Sequence, residues 1–255
     1  MNKIDSIPYS ETSAGDLWLP DGPGPVKGHP VVLVIHGGAR TSLDKNSMSG
    51  VSELLCSNGF AVFNIDYRLA PEHPYPAGWE DCRAAARFLT ESAGEYLLDP
   101  DLLFIAGASA GGHYALLTGL RPAGYRVAGV VSISGINDIY ADWAVHEERY
   151  QLLLGEKSPS AALLEEINPS TYCAKDAPAV FCTHFAEDQV VPWDCCRLFA
   201  EKARQTGMEV GIYCYHLNRE NQGHGIWIPE ELPEKKLYPE IGEKVIHFLK
   251  HKVIS

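Results

Sequence analysis

The chain has 255 residues, 45% of them hydrophobic, and a formal net charge of −12. That length supports one sizeable core, and a single domain spanning residues 1–255 is expected. The acidic balance and the absence of a dense Lys/Arg run speak against a nucleic-acid or anionic-membrane partner, and no apolar stretch approaches the ~20 residues that span a bilayer.

The start, MNKIDSIPYSETSAG, holds one lysine and no apolar run, so it does not read as a signal peptide, and a cytoplasmic protein is expected. About thirty residues precede the first strongly apolar segment, enough for one or two strands. Leu19–Pro30 is turn-rich. It leads into VVLVIHGG, a β-branched and leucine run that reads as a buried strand ending at His36. Met48, Val51, Leu54 and Leu55 recur at helical spacing within 46–58, and Gly59 stops that helix. Phe60–Tyr67 reads as the next strand. Leu69–Gly78 carries Pro71, Pro74 and Pro76 and must be irregular. Trp79, Cys82, Ala86 and Leu89 then mark one face of a helix.

The alternation continues with a strand at LLFIAGAS, a helix over Ala110–Leu120, and a strand over Val127–Gly135. Further strands are expected at Ala179–Phe185 and Glu209–His216, with a helix from about Trp193 to Gln205 between them. A last helix carries Ile241, Val245, Phe248 and Leu249, and its Lys244, Lys250 and Lys252 suit a C-terminal dipole. Strand–helix alternation with continuously apolar strands argues for a mostly parallel sheet covered by helices on both faces. Ligands bind such sheets beyond the carboxyl ends of the strands. One segment, Ile136–Pro178, is too long for a plain crossover. It looks helical over Tyr140–Leu154 and Ser160–Ile167, and it is expected to lie over the ligand edge as a small lid.

The chemistry concentrates at Gly107-Ala108-Ser109-Ala110-Gly111, at the joint of a strand and a helix. A sharp turn there forces its middle residue into a strained backbone conformation, which small neighbours relieve. The turn aims the serine oxygen at the ligand edge, so Ser109 is the candidate nucleophile. A serine hydroxyl needs a base. Of the ten histidines, His224 sits between two glycines beyond the last strand, whereas its competitor His216 falls at the strand's end. His36, His113 and His184 read as structural. The base needs an acid to fix its tautomer. Asp188 follows the Ala179–Phe185 strand and gives the chain order Ser, Asp, His, with Glu187 and Asp138 as rivals. An oxyanion hole is expected from the backbone N–H groups of Gly37, Gly38 and Ala110.

These motifs resemble the α/β-hydrolase superfamily, and within it the carboxylesterases of the hormone-sensitive-lipase type. The resemblance rests on HGGA at His36, DYRLAPEHPYPAGWED at Asp66–Asp81, GASAGGH at Gly107–His113, AEDQVVP at Ala186–Pro192 and GHGI at Gly223–Ile226. It implies an α/β-hydrolase fold and ester hydrolysis through an acyl-enzyme, and with no long apolar lid evident, short acyl chains are expected. No cofactor or metal is implied, and a small-molecule ester partner and a monomer or homodimer are expected. The Asp66–Asp81 stretch is expected to be structural.

The chain departs from the family where a third glycine and an aromatic often follow HGG. Here Ala39 and Arg40 stand, with Arg40 read as a solvated loop residue or, alternatively, one that reaches substrate. The compact chain also resembles small acetyl and feruloyl esterases acting on decorated sugars, and kynurenine formamidases. A non-enzymatic binding protein or a peptidase on the same fold fits less well. Trp143, Trp193 and Trp227 are candidates for pocket walls or core. The seven cysteines form no C-x-x-C pair and read as buried free thiols.

Overall fold

The computed structural model describes residues 1–22, 24–216, 224–225 and 237–254. An eight-stranded sheet runs through it in the order β1-β2-β4-β3-β5-β6-β7-β8. The first two strands, β1 (Asn2–Pro8) and β2 (Ala14–Leu19), are antiparallel, and β2 also pairs antiparallel with β4 (Ala61–Ile65). From β4 onward the sheet is parallel: β3 (His29–Ile35), β5 (Leu98–Ala108), β6 (Gly129–Ile133), β7 (Val180–Phe185) and β8 (Val210–Tyr215). The structure thus places two strands in the N-terminal region, as the sequence allowed.

Strand β3 explains the two-sided core. Every one of its residues is buried. Val31, Leu33 and Ile35 point to one face, where they meet α2 (Ala77–Glu91), α4 (Ala110–Leu120), α5 (Ile139–Leu154) and α7 (Trp193–Thr206). Val32 and Val34 point to the other, against α1 (Ser49–Ser57) and α8 (Pro239–Ile254). Period-two side-chain alternation in a strand buried on both faces requires apolar residues at every position, and the VVLVI run supplies them.

Among the described residues the remaining α-helices are α3 (Ala93–Tyr96) and α6 (Ala161–Glu166). Helix α4 spans the residues expected. The 46–58 helix instead begins as a 3-10 turn over Lys45–Met48, where the Asp44 carboxylate accepts from the Asn46 N–H, and becomes α-helical only at Ser49. Strand β5 starts four residues before LLFIAGAS, because Leu98 pairs with His29. The segment between β6 and β7 contains α5, α6 and a 3-10 turn at Pro169–Tyr172, and α5 is kinked at His146.

The Asp66–Asp81 stretch is held by polar contacts. Asp81, 2% exposed, accepts from the Arg68 guanidinium and backbone N–H and from the Ser13 hydroxyl. All seven cysteines are free. Six are buried and Cys214 is exposed, a correction to the expectation for that one thiol, which lies on edge strand β8. Among the described residues no helix is long and apolar enough to cross a membrane.

Two glycines set how closely β5, α4 and β3 approach. A Cβ on Gly111 would lie 2.2 Å from the Ile35 carbonyl oxygen and 2.4 Å from that of His36, and one on Gly107 would lie 2.2 Å from the Gly111 oxygen. These neighbours are backbone and cannot swing aside. Gly111→Ala is therefore expected to cost about 2 kcal/mol or more of stability, read as a lowered urea midpoint.

Candidate active site

Ser109 stands between β5 and α4 with φ 54° and ψ −120°, a conformation that L-residues avoid. The surrounding backbone fixes it there. Its N–H donates to the Ile133 carbonyl at 2.9 Å, and its own carbonyl accepts from His113 at 3.2 Å. The side chain is raised beyond the carboxyl ends of the parallel strands. Ala110, next in the chain, is the first residue of α4, so its N–H has no acceptor within the helix.

His224 meets Ser109 and Asp188 together. The Ser109 hydroxyl donates to His224 Nε2 at 3.0 Å, and His224 Nδ1–H donates to Asp188 Oδ2 at 2.7 Å. An ionised carboxylate only accepts, which fixes the proton on Nδ1 and leaves the Nε2 lone pair for the serine. Asp188 Oδ1 accepts from the N–H groups of Val190 and Val191 at 2.8 and 2.9 Å. Burial alone would raise the Asp188 carboxyl, but the bond and charge of His224, the Val191 N–H and His184 hold it below the usual carboxylate range.

The two rival residues pair with one another instead. His216 Nδ1 lies 2.6 Å from Glu187 Oε1, on the exposed surface. The third rival, Asp138, caps α5 through the Ala141 N–H at 3.2 Å and accepts from the Ser170 hydroxyl at 2.7 Å. His113 donates from Nε2 to the Ile167 carbonyl at 2.7 Å, and burial holds it well below its ordinary value, so it is neutral. His36 stacks on Tyr67 at 4.2 Å and bonds the Gly37 carbonyl. His184, expected only as a strand-end residue, is fully buried 3.7 Å from Asp188 and donates to the Val191 carbonyl. Its four-residue spacing from Asp188 was the available signal.

Gly37 and Gly38 follow β3 at the same edge of the sheet. Gly38 has φ 97°, and a Cβ there would meet the Ser42 carbonyl oxygen at 2.0 Å. Arg40 corrects the sequence expectation of a solvated arginine. Its side chain is fully buried, with the guanidinium carbon 5.6 Å from the centre of the Tyr150 ring. The aromatic that the resemblance leads one to expect in this loop is replaced by a cation packed on an aromatic from α5. Trp193 packs edge-on to His184 and Trp143 against Tyr150, whereas Trp227 lies outside the described residues. Among the described residues no group of three His, Cys, Asp or Glu side chains is disposed to hold a metal ion.

A parallel sheet with an antiparallel edge, helices on both faces and a strained serine after the central β5 define the α/β-hydrolase fold. Residues 16–203 match the family model described as BD-FAE, and the chain belongs to that family. Over 206 residues it is 31% identical to the probable carboxylic ester hydrolase LipM of Mycobacterium tuberculosis, covering 72% of this chain and 47% of LipM. It is 43% identical over 86 residues to the carboxylesterase NlhH of the same organism, covering 33% of this chain and 27% of NlhH. The chain thus spans about half the length, or less, of these curated relatives. Solved structures with the same fold include two esterases. A truncated carbohydrate esterase from gut microbiota has a TM-score of 0.85 at 20% identity, over 100% of this chain and 97% of that one. A thermophilic esterase from Thermogutta terrifontis has a TM-score of 0.80 at 18% identity, over 96% and 91%.

The depressed carboxyl of Asp188 has a consequence for stability. Its ionised form stabilises the fold above the unfolded value of about 3.9, and that contribution is lost as pH falls through the lower folded value. The stability gap between the native protein and Asp188→Asn, from urea denaturation, is expected to narrow as pH drops from about 5 to 3.

Proposed function

We propose that this protein hydrolyses carboxylic esters with short acyl groups, using Ser109 as nucleophile, His224 as general base and Asp188 as its orienting acid. The observation that carries this reading is the run of hydrogen bonds from Asp188 through His224 to a serine held at φ 54°. The names of its relatives LipM and NlhH as ester hydrolases point the same way.

Ser109 Oγ attacks the ester carbonyl as its proton passes to His224 Nε2. The carbonyl oxygen becomes an oxyanion facing the N–H groups of Gly37, Gly38 and Ala110, each such donor being worth about 3 kcal/mol in the transition state. Asp188 stabilises the imidazolium without taking its proton. The tetrahedral adduct collapses, the C–O bond to the alcohol breaks, and His224 returns the proton to the leaving alkoxide. Water then attacks the acyl-Ser109 carbonyl with His224 as base, releasing the acid and regenerating the serine. The α5–α6 segment between β6 and β7 acts as a small lid. A carbohydrate bearing acetyl groups is a substrate of this class, in keeping with the description of one structural neighbour as a carbohydrate esterase.

The test is turnover of p-nitrophenyl acetate, butyrate, octanoate and decanoate by the native protein and by Ser109→Ala. Native activity should fall beyond butyrate. Ser109→Ala should lose at least about 10³-fold in kcat with its thermal midpoint unchanged. Undiminished turnover by Ser109→Ala would sink the mechanism. Equal rates on acetate and decanoate would remove the short-chain assignment alone.

A further inference from the structure

The loop that offers Gly37 and Gly38 is not in the conformation its own residues prefer. Ala39 and Arg40 have φ of 53° and 67°, in the left-handed region. Each such non-glycine residue is strained and persists only where its surroundings hold it. The Arg40 carbonyl accepts from the Ala70 N–H at 2.9 Å, which is one restraint. Its side chain is the other.

That side chain is unusual. It is fully buried, and among the described residues its Nε and both terminal nitrogens have no hydrogen-bond partner. A guanidinium keeps its proton, so a charge is held here out of water. What faces it is aromatic: the Tyr150 ring at 5.6 Å, with Tyr67, Tyr114 and His113 near enough to feel its field. Tyr150 is itself anchored, since its hydroxyl donates to Asp142 Oδ2 at 2.7 Å. Asp142 is fully buried, and its Oδ1 accepts from Arg149 at 3.4 Å. The same Arg149 nitrogen donates to the Val190 carbonyl at 2.8 Å, and the Val190 N–H donates to Asp188.

Resting on the serine-hydrolase reading above, we propose that Arg40, Tyr150 and Asp142 are positioning residues through which helix α5 holds the oxyanion loop, while Arg149 ties the acid loop to the same carboxylate. The buried cation makes poor sense as a stabilising device. An unpaired charge is expensive to bury, and an apolar side chain of similar volume is often the more stable choice. It makes sense as a tether. The Tyr150 face attracts the cation, so the loop is drawn to α5 at a defined point. Donor placement matters steeply in the transition state, where an error of about 1 Å costs about 10²-fold.

The test is a set of variants assayed on p-nitrophenyl butyrate, with thermal midpoints measured alongside. Arg40→Met should lower kcat roughly 10- to 100-fold, leave KM within about threefold, and melt no lower than the native protein. Arg40→Lys, which keeps a cation over the ring, should recover most of that loss. Tyr150→Leu should lower kcat to a similar degree, and the double variant should be no worse than the poorer single, because both remove one contact. If Tyr150→Leu does not fold, the Met and Lys variants decide. A kcat for Arg40→Met within about twofold of native overturns the proposal, as do losses that multiply in the double variant or a loss matched by a fallen thermal midpoint. Full turnover by Ser109→Ala would overturn the underlying reading instead, and is told apart by that control.

Discussion

The site depends on one constraint: a serine must sit in a backbone conformation it disfavours, at a turn with no room for a side chain two residues to either side. Ser109 at φ 54° is tolerable only because β5 and α4 approach until Gly107 and Gly111 touch backbone. That approach is imposed by the sheet. Ser109 N–H closes onto Ile133 of β6, while Gly111 nests against the end of β3. The strands on both sides of β5 thus share in holding a single strained residue, and the conformational energy comes from core packing remote from the chemistry.

Around this fixed point, charge is handled in two ways. Asp188 is a buried carboxylate satisfied at both oxygens, by two backbone N–H groups and His224. Arg40 is a buried cation set 5.6 Å from the centre of the Tyr150 ring, with no hydrogen-bond acceptor among the described residues. The first follows the rule that buried charges are hydrogen-bonded, and the second breaks it. Local violations of this kind gather where a structure serves something other than its own stability.

Much of this was legible in the sequence. The VVLVI run could only be a strand buried on both faces, and the Gly-Ala-Ser-Ala-Gly turn announced its geometry through the size of its residues. Loop position and chain order favour Asp188 over Glu187 and His224 over His216, and in the structure Glu187 and His216 bond each other on the surface. What could not be read was long-range. That Leu98 extends β5 depends on its partner His29, and that Cys214 is exposed depends on which strand forms the sheet edge. Arg40 failed for the same reason. An arginine in a loop is ordinarily solvated, and the ring it packs on lies 110 positions further along, on a helix expected over the ligand edge but with nothing in its sequence to pair Tyr150 with Arg40.

The order of the strands has a further consequence for how the protein comes into being. Ser109 follows β5, Asp188 follows β7, and His224 lies beyond β8, the last strand of the sheet. Ser109 is made 115 residues before His224, and the two meet only in the folded chain, where His224 Nε2 lies 3.0 Å from the serine oxygen. On the reading proposed above, a chain synthesised only as far as Asp188 holds the nucleophile and the acid without their base. On that reading, reactivity arises only from the assembled sheet, since its three side chains lie beyond three different strands.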